Sequence, residues 1–484
     1  MRLFNLLKIS LLIITINSSC LLPAYGLGDK KNKADPKIAS ITITAKQVRE
    51  ISSLLLGFNV VYPHEIDHIW KDGKITGILK DVKVSLIRYP GGTVSSFYHW
   101  NNLSGNGWAD KLDPDNKLAD RKASDFMDID EYMELIGKTG AQPLVGINVS
   151  SARRWNKLQE GIDEALELMK YCREKKFRVK YWYIDNEPYQ PDSNGGRKTP
   201  EEYAGLINSF AEAMKNYDPE IQIVANWNAS FENRRADYEK LIKTAGKNID
   251  IIDVHWYWGW RSNKQMEQWL SETPMRLWTK STYINEINYF RKMVSDFGYP
   301  GIKLASFEWN VGPGGGSDGL TDDQCALIQG EMLMQFIIGG LDMAVFWPLH
   351  WPDKGFTDRA FINTSDNSVK ANYKIFSFMS GFQGGILMET AGDEPGRKLL
   401  NIAAFNADRD TMRICILDKN KEGNDISLRS AFIKNMKISD ISAFKMKDPG
   451  NESELISLSF SRKKDDIRFT SPGVSLTMIT MVKK

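Results

Sequence analysis

Two glutamates closely follow short apolar runs of the kind that form buried strands. Glu187 comes after the run at residues 181–184, and Glu308 comes after the run at residues 302–307. Two carboxyl groups at one place can cleave a glycosidic bond, because one protonates the departing oxygen while the other attacks the sugar or activates water. A glutamate beyond a strand can also cap a helix or lie in solvent, so the hydrolytic interpretation needs a fold that brings the two together.

The pattern between residues 53 and 381 alternates short apolar runs with longer amphipathic ones, which predicts repeated β-α units. Eight such strands favour an α/β fold of the (β/α)8 TIM-barrel type over an open sheet. The carboxyl ends of barrel strands share one rim, so Glu187 on strand four and Glu308 on strand seven should meet there. The predicted strands are residues 54–59, 84–89, 143–148, 179–185, 221–227, 251–256, 302–307 and 343–347, and the clearest helices are 161–175, 199–215 and 321–338.

The character of the chain changes at about residue 385. Short alternating runs separated by polar turns predict a C-terminal antiparallel β-sandwich over residues 385–484, after a catalytic barrel over residues 51–384. Residues 38–44 alternate too, so the segment 38–50 is expected to add one strand to the sandwich. The sandwich strands are predicted at residues 401–405, 412–417, 437–444, 455–460 and 475–482.

The first residues have the pattern of an export signal. Arg2 and Lys8 supply a positive end before a mostly apolar stretch at residues 9–16, and small residues precede a cleavage point near residue 26. We therefore predict a signal peptide at residues 1–26, a linker at 27–37, and a secreted, periplasmic or cell-surface protein. Cys20 offers a competing lipid-anchor site, although Asn17 stands where such sites prefer an aliphatic residue. No later segment has the roughly 20 apolar residues that span a membrane.

The composition excludes several function classes. Basic and acidic side chains number 63 and 61, so nothing attracts the chain generally to nucleic acid. The 4 cysteines form no close pair and the 5 histidines no HExxH pattern, which argues against a disulfide scaffold or a zinc hydrolase. No GxGxxG follows the first strand, and the glycine-rich residues 312–316 lack the Lys-Ser/Thr of a phosphate loop. We expect no metal and no cofactor. The composition does not indicate whether the protein is a monomer or an oligomer.

Three motifs resemble a known group of enzymes. Asn186-Glu187-Pro188 resembles the acid/base motif of clan A retaining glycoside hydrolases. Glu308-Trp309-Asn310 is similar to the nucleophile strand of their α-L-arabinofuranosidase and β-xylosidase branches, and the run at residues 88–92 is similar to the second strand of the arabinofuranosidases. The β-agarases and β-porphyranases also carry Asn-Glu-Pro and match residues 346–349. The candidate substrates are therefore arabinose- or xylose-containing glycans and red-algal galactans such as agarose or porphyran.

The resemblance implies roles for individual residues. Glu187 would be the general acid/base and Glu308 the nucleophile of a double displacement, with their carboxyls about 5 to 5.5 Å apart. Glu187 must then hold a proton near neutral pH while Glu308 stays ionised. Arg88 is suited to keeping Glu308 ionised through a charge-assisted hydrogen bond. Asn186 would hydrogen-bond the sugar 2-hydroxyl.

Other side chains fall at the same predicted rim. Alternation along strand six puts His255 and Tyr257 on one face, where Tyr257 could orient the nucleophile and His255 could donate to it or to a sugar hydroxyl. Trp347 could form the floor of a sugar subsite, and Asn148 could make a polar sugar contact. Further tryptophans near strand ends would suit an extended cleft: Trp227, Trp258, Trp260, Trp309 and Trp351.

Two other classes compete with hydrolysis. One is a non-catalytic carbohydrate-binding protein on a decayed barrel, which the joint presence of both glutamates disfavours. The other is a Schiff-base barrel enzyme, but Lys180 and Lys303 stand at strand starts, away from the face where barrels do chemistry. Long connections at residues 105–121 and 261–280 are expected to shape substrate binding.

Overall fold

The computed structural model describes residues 38–101, 126–191, 196–259, 266–312, 320–351, 359–392, 398–446 and 454–484. The predicted signal peptide and linker, Cys20, Trp260 and the connection at 105–121 lie outside these residues. Within the described ranges, no helix is both long and apolar enough to cross a membrane.

Eight parallel strands close into a barrel, because the first barrel strand pairs with both the second and the last. After β1 (Ala39–Glu50), the barrel strands are β2 (Gly57–Asn59), β3 (Leu86–Tyr89), β4 (Gln142–Ile147), β5 (Tyr181–Ile184), β6 (Gln222–Asn226), β7 (Ile251–Trp258), β8 (Lys303–Val311) and β9 (Met343–Phe346). Strands β7 and β8 run further than their apolar runs suggested. Glu308 therefore lies inside β8 rather than beyond it.

Helices cover the outside of the barrel. Capping boxes begin three of them, at Asp128, Thr199 and Thr321, where each side chain accepts from the backbone three residues on. The helices are α1 (Asp67–Trp70), α2 (Lys74–Asp81), α3 (Ile129–Thr139), α4 (Val149–Arg154), α5 (Leu158–Glu174), α6 (Pro200–Tyr217), α7 (Arg235–Ala245), α8 (Met266–Ser271), α9 (Tyr283–Asp296), α10 (Asp322–Gly339) and α11 (Asn372–Ser380).

The barrel interior is apolar at the strand starts and polar at the strand ends. Its lower part is filled by inward-facing apolar side chains that form one buried cluster: Leu86, Leu144, Tyr181, Tyr183, Val224, Ile251, Ala305, Phe307, Met343 and Val345. Two residues further along β3 and β7, the same inward faces carry Arg88 and Asp253. The apolar part supports a fully buried polar rim above it.

A β-bulge aims the second glutamate. In the pairing of β7 with β8, Val254 faces Ser306 and the next residue, His255, already faces Glu308, so Phe307 is the extra residue. Bulges bend a strand and redirect side chains, and they are common beside active sites. Phe307 fills the barrel core while Glu308, its neighbour, also turns toward the barrel mouth. Simple alternation along β8 would not put both residues inside.

The C-terminal domain is one sheet of ten strands that encloses a second apolar core, and most neighbouring strands in the sheet are antiparallel. Strand β1 belongs to this sheet, antiparallel to β10 and parallel to β13. The order is β15-β14-β18-β12-β11-β10-β1-β13-β17-β16, with β10 (Ile386–Ala391), β11 (Leu399–Phe405), β12 (Thr411–Asp418), β13 (Asn424–Ser430), β14 (Met436–Lys445), β15 (Glu454–Ser457), β16 (Phe460–Lys463), β17 (Asp466–Ser471) and β18 (Ser475–Lys483).

The predicted fold class, a (β/α)8 barrel with a C-terminal β-domain, is confirmed. The sequence pattern missed β10, which opens on three consecutive apolar residues, and β13 and β17, which carry more polar than apolar residues. The single strand predicted at residues 455–460 is wrong, because two strands occupy this region: β15 ends at Ser457 and β16 begins at Phe460.

Candidate active site

The barrel brings the two glutamates to one place. One carboxylate oxygen of Glu187, one of Glu308 and a ring nitrogen of His255 all lie within 4.8 Å of one another. Glu187 follows β5, and its side chain is 22% exposed, whereas that of Glu308 is 9% exposed. The separation is near the 5 to 5.5 Å that retaining glycosidases use, and it is well below the 6.5 to 9.5 Å of inverting ones.

Arg88 joins the nucleophile candidate to the acid/base segment. Its fully buried guanidinium donates to Oε1 of Glu308 at 3.0 Å and to Oδ1 of Asn186 at 2.6 Å. A third bond reaches Oδ1 of Asn59 at 3.2 Å, and the cation lies 4.4 Å over the ring of Tyr183. Asn186 therefore uses its oxygen on Arg88, which leaves its amide NH2 as the group that can meet a sugar hydroxyl.

His255 and Tyr257 point into the same space from β7. The Tyr257 hydroxyl donates to Oε2 of Glu308 at 2.8 Å. Nδ1 of His255 lies 2.9 Å from Oε1 of Glu187 and 3.4 Å from Oε2 of Glu308. Nε2 on the opposite side of the ring lies 3.3 Å from Oδ2 of Asp253. The imidazole is thus placed between three carboxylates.

These neighbours determine where the protons are. Burial opposes the charged form of His255, but Glu308 and Asp253 outweigh it and raise the pKa to about 10. Burial raises the pKa of Glu308, and His255 and Arg88 offset only part of this effect. Burial also acts on Glu187, but the bond from His255 and the Tyr189 hydroxyl outweigh it and lower the pKa. In the free protein the proton beside Glu187 therefore belongs to His255, contrary to the expectation of a protonated Glu187.

The acid/base segment has an unusual backbone. Asp185 has a φ of 64° and Glu187 a φ of 45°, in the left-handed region that costs non-glycine residues about 1–3 kcal/mol each. The Glu187 amide donates to Oδ1 of Asn226 at 2.7 Å, and Asn226 in turn donates to Oδ2 of Asp253 at 2.7 Å. A polar network therefore holds the strained segment.

Sequence reasoning missed four members of this network, namely Asn59, Tyr189, Asn226 and Asp253. Three had a usable signal. Asp253 is two residues before His255 and so shares its face of β7, and Asn59 and Asn226 end β2 and β6 at the same rim. Tyr189 lies in a loop, where no period predicts its direction.

The two other residues predicted to contact a sugar, Trp347 and Asn148, lie in different surroundings. Trp347 follows β9, is 7% exposed, and has its ring 5.6 Å from that of Trp351. Its indole packs against Gly92, where an added Cβ would lie 2.5 Å from the ring. Asn148 is the N-cap of α4 and spends its amide on Tyr98 O (3.1 Å) and Ser151 Oγ (2.8 Å). Its contact with a sugar stays a prediction.

The prediction that tryptophans near strand ends line an extended cleft is wrong for three of them. Trp227, Trp258 and Trp309 are almost fully buried in the core between the barrel and its helices. Trp351 packs at 4.3 Å from the ring of His64. The more exposed indoles are Trp155 (41%) and Trp278 (59%).

The charges around the two glutamates disfavour a metal ion, and the lysines considered for a Schiff base lie elsewhere in the barrel. Glu187, His255 and Glu308 have the spacing of metal ligands. However, Arg88 lies 3.0 Å from Glu308 and His255 itself carries a proton, so positive charge already faces both carboxylates. Lys180 and Lys303 lie at the starts of β5 and β8, at the end of the barrel opposite to the glutamates.

Comparison of the sequence with known proteins finds relatives among the α-L-arabinofuranosidases. A family model described as the α-L-arabinofuranosidase 1 domain matches residues 78–274. The α-L-arabinofuranosidase C of Emericella nidulans is 30% identical over 167 residues, which is 30% of this chain and 30% of that protein. An intracellular exo-α-(1→5)-L-arabinofuranosidase of Bifidobacterium longum is 25% identical over 264 residues, 49% of this chain and 44% of that protein. The chain thus spans less than half the length of these relatives.

Solved structures share the fold over most of the chain. The α-L-arabinofuranosidase of Thermotoga maritima, in complex with arabinose, has a TM-score of 0.71 at 19% identity and covers 92% of this chain and 100% of its own. A bifunctional glucanase-xylanase from a metagenome library has a TM-score of 0.62 at 16% identity, covering 92% and 99%. The matches confirm the resemblance to clan A glycoside hydrolases and support its arabinofuranosidase branch. None of the relatives named here supports the agarase and porphyranase branch.

Proposed function

We propose that this protein is a retaining glycoside hydrolase that cleaves O-glycosidic bonds of an arabinose-containing oligo- or polysaccharide. The observation that carries the proposal is the approach of Glu187 and Glu308 to within 4.8 Å, with His255 between them. Two carboxyls this close leave no room for the water that an inverting enzyme needs. The domain match at residues 78–274 supports arabinose as the sugar that is released.

In the first step, an oxygen of Glu308 attacks the anomeric carbon and the bond to the leaving oxygen breaks. Arg88 and Tyr257 each hold one oxygen of Glu308, at 3.0 and 2.8 Å, and so direct the carboxylate. The leaving oxygen takes a proton from Glu187. The product is an ester between the sugar and Glu308, together with the shortened glycan.

The proton for this step comes from His255. Nδ1 of His255 lies 2.9 Å from Oε1 of Glu187, so transfer along this hydrogen bond converts the ion pair into a neutral imidazole and a carboxylic acid. Asp253, 3.3 Å from the opposite ring nitrogen, keeps the ring oriented. The pair provides the acid although the pKa of Glu187 alone is lowered in the free protein.

In the second step, the ionised Glu187 takes a proton from a water molecule, which attacks the sugar ester and frees Glu308. In our proposal the Asn186 amide, which Arg88 orients through a hydrogen bond of 2.6 Å, holds the sugar hydroxyl next to the reacting carbon. Configuration at the anomeric carbon is retained because two displacements occur.

We further propose that the protein acts outside the cytoplasm, on the basis of the basic and apolar pattern of residues 1–26. Fractionation of the producing cells, followed by mass determination of the N-terminus, tests this. A chain that retains Met1 in the cytoplasm would contradict the proposal, and a lipid on Cys20 would replace simple secretion by anchoring.

The proposed reaction is tested with a panel of arabinans, xylans and red-algal galactans, and with aryl glycosides of graded leaving groups. Glu308→Ala is expected to abolish turnover with the fold intact. Glu187→Ala should retain far more activity on good leaving groups than on natural linkages, because the former need no proton. Glu286→Gln is the matched control, since Glu286 is 5% exposed but lies on α9 outside the barrel. Equal losses of Glu187→Ala on both substrate types would refute the acid/base role.

A mechanism-based fluoro-sugar separates this function from a non-catalytic carbohydrate-binding barrel. The hydrolase should gain the mass of one sugar on Glu308, and Glu308→Ala should gain none. A protein that binds the panel glycans but neither hydrolyses them nor takes up the label would support the binding alternative.

A further inference from the structure

A buried ion pair lies directly behind the acid/base residue. Nζ of Lys198 lies 2.8 Å from Oδ2 of Asp185, and both side chains are 0% exposed. Asp185 stands two residues before Glu187, and Lys198 directly precedes Thr199, the N-cap of α6. Removing two charges from water is costly, and a pair without solvent contact is weak evidence for stability alone. Its place in the chain points to a role in the site.

The carboxylate of Asp185 is held on every side. It accepts hydrogen bonds from Ser96 Oγ at 2.7 Å and from Ser150 Oγ at 2.9 Å, and its Oδ1 accepts from the Asn186 amide at 2.9 Å. Lys198 also donates to Ser150 Oγ at 2.8 Å. The ammonium group thus contacts both Asp185 and a second ligand of Asp185, which fixes the rotation of the carboxylate.

This cluster lies next to the strained part of the chain. Asp185 and Glu187, with φ of 64° and 45°, flank Asn186 on either side. On the far side, the Glu187 amide is held by Asn226 at 2.7 Å. A disfavoured backbone persists only when its surroundings over-determine it. Asp185 and Asn226 hold this segment on its two sides, and Lys198 supplies the charged partner that, with Ser96 and Ser150, fixes Asp185.

We propose that Lys198 is a positioning residue, which acts through Asp185 to hold Glu187 in the backbone conformation that aims its carboxyl at His255 and the leaving oxygen. This role rests on the proposed hydrolase function and extends it to a residue whose ammonium group contacts Asp185 and Ser150. It also links the start of α6 to the chemistry, because Lys198 and the helix N-cap are adjacent.

The test is Lys198→Met, which keeps the length of the side chain and removes the ammonium group. A displacement of about 1 Å in a catalytic group costs about 10²-fold in rate, so kcat on natural linkages should fall by about 10²-fold with little change in KM. On aryl glycosides with good leaving groups the loss should be much smaller, because the misplaced group is the proton donor. In a Glu187→Gln background, Lys198→Met should add little further loss, since both changes act on one function.

The matched control is Lys215→Met at the other end of α6, where Lys215 pairs with Asp250 at 2.8 Å in a partly exposed position. It should leave both substrate types unaffected. If Lys198→Met fails to fold, Asp185→Asn/Lys198→Met removes both charges together and should show the same dependence on the leaving group.

The outcomes separate the two proposals. A wild type that hydrolyses no glycoside would overturn the proposed function and this role with it. An active wild type whose Lys198 variants match Lys215→Met, or lose equal activity on good and poor leaving groups, would overturn the positioning role alone.

Discussion

Arg88→Met is the substitution with the most consequences for the proposed site. Methionine fills part of the same volume and removes the charge together with three hydrogen bonds, to Glu308, Asn186 and Asn59. Glu308 then loses a cation that lowers its pKa, so protonation of the nucleophile becomes easier. Asn186 loses the group that orients its amide.

The size of the effect follows from burial. The Arg88 side chain is 0% exposed, so water cannot replace it at Glu308. Breaking a buried ion pair from one side costs about 3–5 kcal/mol, which at about 1.36 kcal/mol per decade corresponds to roughly 10²- to 10⁴-fold in rate. Part of this cost will appear in the free energy of unfolding, so stability and kinetics must be measured on the same samples.

The assay is kcat/KM for an aryl glycoside across pH, with thermal unfolding alongside. Arg88→Met should lose activity within the stated range and shift the acidic limb of the profile to higher pH. Arg88→Lys keeps a positive charge but not the forked pair of donors, so its activity should fall between that of the wild type and that of Arg88→Met. Arg413→Met is the control, because Arg413 is half-buried against Gly381 in the C-terminal sheet and should affect stability alone. An unshifted acidic limb with activity near wild type would refute the role of Arg88.

Three further outcomes are expected. The wild-type profile of kcat/KM against pH should be bell-shaped. Its acidic limb should lie above the ordinary carboxyl range because burial raises the pKa of Glu308, and activity should be lost as the pH rises toward the His255 pKa of about 10. A basic limb near pH 6.5 would contradict the role of His255 as the proton source. Exhaustive treatment with a chelator should leave activity unchanged, since Arg88 and His255 already supply the positive charge, whereas loss reversed by added zinc would show a metal enzyme. Lys419→Met should lower the free energy of unfolding by about 3–5 kcal/mol because it leaves the fully buried Glu331 without its cation. The double variant Lys419→Met/Glu331→Gln should lose much less stability. Equal losses of stability in chemical denaturation would show that the ion pair is not the cause.

Much of the fold could be predicted because barrel strands bury both faces. Their apolar runs and the amphipathic helices between them are local patterns, visible without knowledge of the partners. Strands β13 and β17 escaped because they carry more polar than apolar residues and pair with each other from distant parts of the chain, and β10 escaped because it opens on three consecutive apolar residues without alternation. The bulge at Phe307 was equally hidden, since it exists only in the register between β7 and β8.

The candidate site divides in the same way. Glu187, Glu308 and Arg88 carry signals in their own neighbourhoods, because each ends an apolar run at the rim. Asn59 ends the first barrel strand and had the same signal, whereas Tyr189 lies in a loop and Lys198 lies outside every strand. Their roles depend on contacts such as that between Lys198 and Asp185, which no period in the chain reveals.

The sequence alone determined the order of the eight barrel strands, the rim on which polar side chains gather, and the two carboxyls suited to glycosidic cleavage. Only the tertiary structure decided how far apart those carboxyls lie and which group beside them holds the proton. The reason is physical: burial periodicity acts between neighbours in the chain, whereas a pKa depends on desolvation and on charges brought within a few ångströms. His255 shows the difference, since Glu187 and Glu308, which are distant in the chain, join Asp253 of its own strand in raising its pKa to about 10.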